Sequence, residues 1–68
     1  MAKKLSQLLL EARDKQGLTQ IQVAKKAGIY PNTYSRIERG EQKPSIPTLR
    51  KLAKALNFDL SELLKVWP

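Results

Sequence analysis

Asn32, Ser35, Arg36 and Arg39 recur at i, i+3, i+4 and i+7, the spacing that gathers side chains on one face of a helix. That face carries an amide, a hydroxyl and two guanidiniums, and no acid. These groups suit nucleic acid: arginine pairs bidentately with guanine, asparagine with adenine, and serine with either kind of base edge. At about 100° per residue, Tyr34 and Ile37 fall together on the other side and are expected to face a core. An ordinary solvated helix also shows a polar face with two arginines, so the surrounding elements and the overall charge have to decide.

Those elements are short and sharply bounded. Thr19 followed by Gln22 is a capping box that starts one helix. It carries Val23, Ala24 and Ala27 inward and stops at Gly28. Pro31 suits the first position of the next helix, where its missing N–H costs nothing; that helix is expected to run to Arg39 and end at Gly40. Residues of about 19 to 39 therefore form a helix-turn-helix candidate. Its second helix is short enough to enter a major groove by its N-terminal end.

Three further helices are expected around this pair. Leu5, Leu8, Leu9 and Ala12 make one apolar stripe that ends near Gln16 and Gly17. Residues Glu41 to Pro44 are a polar loop. Ser45 then caps a helix with Pro47 in its first turn and Leu49, Leu52, Ala53 and Leu56 inward. Asn57 and Phe58 turn the chain. Asp59 with Glu62 is a second capping box, opening a helix that carries Leu60, Leu63 and Leu64. No stretch alternates as a strand does. The expected fold is all-α, a compact five-helix domain occupying residues 1–68.

Thirteen lysines and arginines against six acids leave a net charge of +7 on 68 residues, which points to a polyanionic partner such as nucleic acid or an anionic membrane. A membrane-surface peptide needs one long basic amphipathic helix, and three glycines and four prolines interrupt this chain too often. There is no cysteine and no histidine, so disulfides, thiolate metal sites and histidine-based catalysis are excluded. No enzyme activity, cofactor, metal or small-molecule ligand is expected. The longest apolar run, Leu8 to Leu10, is far too short for a membrane span or a signal segment. A cytoplasmic, nucleoid-associated protein is expected.

Specific strings sharpen this expectation. Leu18-Thr19-Gln20, Val23-Ala24, Ala27-Gly28-Ile29, Tyr34, Ile37-Glu38-Arg39-Gly40, Lys43-Pro44-Ser45, Leu49, Leu52-Ala53-Lys54-Ala55-Leu56, Leu60 and Leu63 resemble the Cro and lambda-repressor type (XRE-like) helix-turn-helix domain. The resemblance spans about residues 5 to 65. It implies a compact five-helix, lambda-repressor-like domain that binds operator DNA, usually as a dimer on a two-fold site. It also implies roles residue by residue. Gln20 is similar to a position that holds phosphate and braces the recognition helix. Asn32, Thr33 and Arg36 match positions that face bases, and Ser35 lies on the same polar face. Pro31 matches another such position but brings no donor, leaving it a thymine methyl to touch. Tyr30 stands where the family has a small serine or threonine cap. Its hydroxyl reaches the DNA backbone, or its ring packs against the turn. Arg13 and Glu38 match a structural pair bridging the first and third helices. Arg39 and Lys43 bracket the following loop and are expected on phosphates. Lys25 and Lys26 are expected on plain surface. Lys3 and Lys4 are a solvated tail or a loose arm over the duplex.

One recognition helix contacts only a few bases, too few to single out a site among roughly 10⁶–10⁹ competitors. The usual remedy is a homodimer on half-sites about one helical turn (34–36 Å) apart. Leu10, off the inward stripe, and the tail Val66-Trp67-Pro68 are the candidate dimer surface, because tryptophan is enriched where interfaces bury; the alternative is that Trp67 folds onto its own core. The expected function is sequence-specific binding of double-stranded DNA by a transcriptional repressor. The alternative is an antitoxin-type module that binds DNA and also holds a toxin-like protein partner, which needs an arm or helix beyond this domain.

Overall fold

The structure is a computed structural model that describes residues 4–67. Within it the helices are α1 (Leu5–Lys15), α2 (Gln20–Ala27), α3 (Pro31–Glu38), α4 (Ile46–Ala55) and α5 (Leu60–Val66). No strand occurs among the described residues. The all-α, five-helix expectation holds, and the expected helix starts and stops fall within a residue or so of the observed ones.

The caps explain the boundaries. The Thr19 hydroxyl accepts from the Gln22 amide at 3.1 Å and the Gln22 side chain accepts from the Thr19 amide at 2.8 Å, closing the box that opens α2. Gly28 ends α2 at φ 72°, a left-handed conformation open to glycine at little cost. Ser45 caps α4 by accepting from the Thr48 amide. The box expected at Asp59 forms differently. Its carboxylate accepts from the Ser61 amide at 3.1 Å, while the Glu62 amide donates to the Asp59 carbonyl.

Packing fixes where α3 can go. α2 packs on both α3 and α4, α1 on α3, and α4 on α5. The core gathers Leu5, Leu9, Val23, Ala24, Ala27, Tyr34, Ile37, Leu49, Leu52, Ala53, Leu56 and Leu63. Every inward residue expected on α2, α3 and α4 is among them. Burying a leucine such as Leu9 or Leu52 stabilises the fold by roughly 1.5–3 kcal/mol. Leu64 departs from expectation and is 40% exposed. α5 is seven residues long, and Leu60 and Leu63 at i and i+3 already make its inward edge, so the next residue rotates out by about 100°.

Candidate nucleic-acid interface

α3 is divided lengthwise by burial. Tyr34, Ile37 and Glu38 are buried, whereas Pro31, Asn32 and Arg36 are exposed and Thr33 and Ser35 half-buried. The five expected base-facing residues therefore lie on the outward part of one helix. Four of them, Pro31, Asn32, Thr33 and Arg36, line a shallow hollow together with Tyr30. Ser35 is not in that lining. Tyr30 is 80% exposed and makes no side-chain cap, so its ring does not pack against the turn. Pro31 starts the helix in place of a capping hydroxyl.

The first turn of α2 is the second component. Gln20 is its first residue and half-buried. The initial amides of a helix have no partner in its own ladder, and Thr19 satisfies only that of Gln22. The amides at Gln20 and Ile21 sit at the positive end of the helix, a disposition that favours an anion.

The Arg13–Glu38 pair expected from the resemblance is present. Arg13 Nε donates to Glu38 Oε1 at 3.2 Å and Oε2 at 3.0 Å, and Nη2 donates to Oε1 at 2.8 Å. Nη1 donates to the Leu18 carbonyl at 2.9 Å. One guanidinium thus joins α1, the segment entering α2, and the last residue of α3. The hydrogen bond to Glu38 raises the Arg13 pKa, so the cation stays charged. Tyr34 lies buried beside the pair, and its hydroxyl has no hydrogen-bond partner. Burial, with the added charge of Glu38, pushes its phenol well above the usual value of 10.0.

The two cations expected on phosphates have partners within the chain. Arg39 Nε lies 2.8 Å from Glu41 Oε2, with both side chains 57% exposed. Pairs so exposed contribute about 0–1 kcal/mol, so a phosphate competes readily for Arg39. Lys43 Nζ sits 4.3 Å above the centre of the Trp67 ring, and the Trp67 indole N–H donates to the Pro44 carbonyl at 2.7 Å. Of the two alternatives for Trp67, folding onto its own chain is the one observed. Val66 is half-buried and Leu10 is 44% exposed. Lys4 is exposed, whereas Lys3 and Pro68 lie outside the described residues.

Sequence reasoning missed the Glu41 and Trp67 partnerships. The signal for the first was an acid two residues beyond Arg39, across the turn at Gly40. The second had none, because 23 residues separate Trp67 from Pro44. Among the described residues no group of acids is disposed to hold a metal ion, and no helix is long and apolar enough to cross a membrane.

A capped eight-residue helix, a three-residue turn, and a second eight-residue helix that bares a polar, basic side define a helix-turn-helix DNA-binding domain. The chain belongs to the XRE/Cro-like helix-turn-helix family, whose helix-turn-helix model matches residues 9–63. It is similar to the HTH-type transcriptional regulator PuuR of Escherichia coli, with 41% identity over 54 residues. That match takes in 79% of this chain and 29% of PuuR. The cryptic phage CTXphi transcriptional repressor RstR of Vibrio cholerae is 36% identical over 59 residues, which is 87% of this chain and 53% of RstR. The chain thus spans about half of RstR and less than a third of PuuR. Among solved structures, the N-terminal DNA binding domain of SinR from Bacillus subtilis superposes with a TM-score of 0.81 at 33% identity, covering 88% of each chain.

Proposed function

We propose that two copies of this chain bind a palindromic operator in double-stranded DNA and repress transcription there, in the cytoplasm on the nucleoid. It acts by occupying its site, with no chemical step. The observation that carries this reading is the division of α3, with Asn32 and Arg36 open to solvent while Tyr34 and Ile37 are buried behind them. Arg36 and Asn32 make the directional contacts to base edges, Thr33 and Ser35 the adaptable ones, and Pro31 touches a thymine methyl. Gln20, Tyr30, Arg39 and Lys43 hold the flanking phosphates and set the register. Arg39 and Lys43 do so by leaving Glu41 and Trp67, both exposed or half-exposed partners.

Dimerisation follows from the small number of bases within reach of one eight-residue helix. The domain's longest extent of 28 Å suits two copies side by side on half-sites about 34–36 Å apart. Leu10, exposed on α1, is the surface we assign to that contact, since Trp67 is engaged within its own chain. The similarity to RstR, itself named a repressor, supports repression over activation.

Selecting bound duplexes from a random pool and sequencing them tests this reading. A palindromic consensus with one-turn spacing is expected. Recovery of an unenriched pool would defeat sequence-specific binding, and a consensus lacking symmetry would defeat the dimer.

A further inference from the structure

Three lysines from two packed helices converge on one hollow outside the proposed base-reading face. Lys26 comes from the last turn of α2 and Lys51 and Lys54 from α4, with Ala27, Ala55 and Asn57 completing the wall. All three lysines are exposed, as are their chain neighbours Lys25 and Arg50. Neither α2 nor α4 contains an acid. No ion pair among the described residues involves any of these five cations.

Helix chemistry accounts for part of this cluster only. A cation near a helix C-terminus offsets the negative end of the dipole, which suits Lys26 and Lys54. Lys51 sits one turn earlier and forms with Lys54 an i, i+3 pair of like charge, which destabilises a helix. Three other cations of the domain have partners: Arg13 has Glu38, Arg39 has Glu41 and Lys43 has Trp67, while Lys4, Lys15 and Lys65 stand singly at the chain's ends or on other faces. Arg36 has none, and it belongs to the face we assign to DNA. The lysine hollow shares no residue with the hollow on α3.

We propose that the Lys26–Lys51–Lys54 hollow is a second DNA-backbone site, one that holds duplex phosphates without reading bases. This rests on the DNA-binding function proposed above. An ammonium is a compact point charge without the planar fork that reads a base edge, and the hollow contains no arginine and no aromatic ring. Its apolar wall is two alanines, which gives an acidic peptide none of the buried anchors that dominate protein interfaces. Duplex DNA supplies sequence-independent binding energy through its charge density, about one phosphate per 1.7 Å of axis. The phosphates come either from the flanks of the operator duplex or from a second duplex.

The test compares the full chain with its Lys26→Gln, Lys51→Gln, Lys54→Gln triple variant, whose exposed substitutions leave the melting temperature in place. Each binds the selected operator as a minimal duplex and centred in a duplex several turns longer, across a salt series. The variant is expected to keep its preference for operator over random DNA. On the long duplex it loses about tenfold or more in affinity, and its log–log salt slope shrinks by about 2 to 3. Capture of a labelled second duplex on an immobilised first one, by the unsubstituted chain alone, assigns the phosphates to a second duplex. Length-dependent affinity without capture assigns them to the operator flanks. Equal affinities and slopes for both proteins overturn the proposal. So does lysine-dependent binding of poly-glutamate with DNA binding unchanged, which gives the hollow to an acidic polypeptide. If the unsubstituted chain binds no duplex at low salt, the DNA-binding function itself fails and takes the second site with it.

Discussion

Arg13 and Glu38, 25 residues apart in the chain, meet through three donor–acceptor contacts of 2.8 to 3.2 Å. Their side chains are only 19% and 4% exposed. The pair fixes the C-terminal end of α3 against α1 from inside the domain. A partly buried ion pair orients elements more than it adds net stability, but removing one partner leaves the other desolvated and alone. Glu38→Ala is therefore expected to cost about 3 kcal/mol of folding free energy. In a domain of this size that lowers the melting temperature by about 10 °C or more. Thermal denaturation followed by circular dichroism measures it, and an unchanged melting temperature refutes the structural role.

Tyr34→Phe should act in the opposite direction. The phenol hydroxyl is buried without a hydrogen-bond partner, and an unpaired buried polar group costs about 1–3 kcal/mol. The phenylalanine variant is expected to be as stable as the parent or more so at neutral pH. The two proteins should also differ in alkali. The folded-state pKa of Tyr34 is raised above 10.0, so the fold favours the neutral phenol. That contribution is fully present below pH 10 and falls as pH rises past it. Melts between pH 8 and pH 11 should show a steeper loss in the parent than in Tyr34→Phe. Parallel curves would contradict the assignment.

Arg36→Ala separates base reading from phosphate holding. Arg36 is exposed on the outward side of α3 and has no ion-pair partner among the described residues. Its loss should weaken operator binding by about 1–3 kcal/mol and leave random DNA nearly unaffected. Equal losses on both, measured by titration at one fixed salt concentration, would make Arg36 a phosphate contact.

Trp67, the sole tryptophan, offers an optical test of Lys43. The ammonium lies 4.3 Å above its ring, a cation–π arrangement of about 0.5–1 kcal/mol when exposed. If Lys43 leaves the ring for a phosphate, operator binding shifts the tryptophan emission. The shift should vanish in Lys43→Ala. Emission that responds identically in both proteins would count against that movement.

What the amino-acid order announces, and what it conceals, follows from the distance over which each interaction acts. Thr19 with Gln22, Gly28, Pro31 and Ser45 mark helix ends through contacts only a few positions long, so their types and spacing suffice. The inward stripe of Leu49, Leu52, Ala53 and Leu56 follows from periodicity in the same way. Nothing local specifies that Trp67 returns to Pro44, nor that Arg13 finds Glu38, a pairing that the family resemblance implies. Leu64 shows a different limit. In a seven-residue helix three leucines outnumber the inward positions, and only the packing of α5 on α4 decides which one turns to solvent. On the candidate interface, the side of α3 was evident from residue types, whereas the Glu41 partner of Arg39 depends on the shape of the turn at Gly40.

The lengthwise partition of α3 has an evolutionary corollary. On the proposed reading, substitutions at Asn32 or Arg36 alter what is recognised and leave the interior undisturbed, because the buried residues of α3 are Tyr34, Ile37 and Glu38. A lineage carrying this domain can exchange one target for another by single steps, each variant remaining folded along the way.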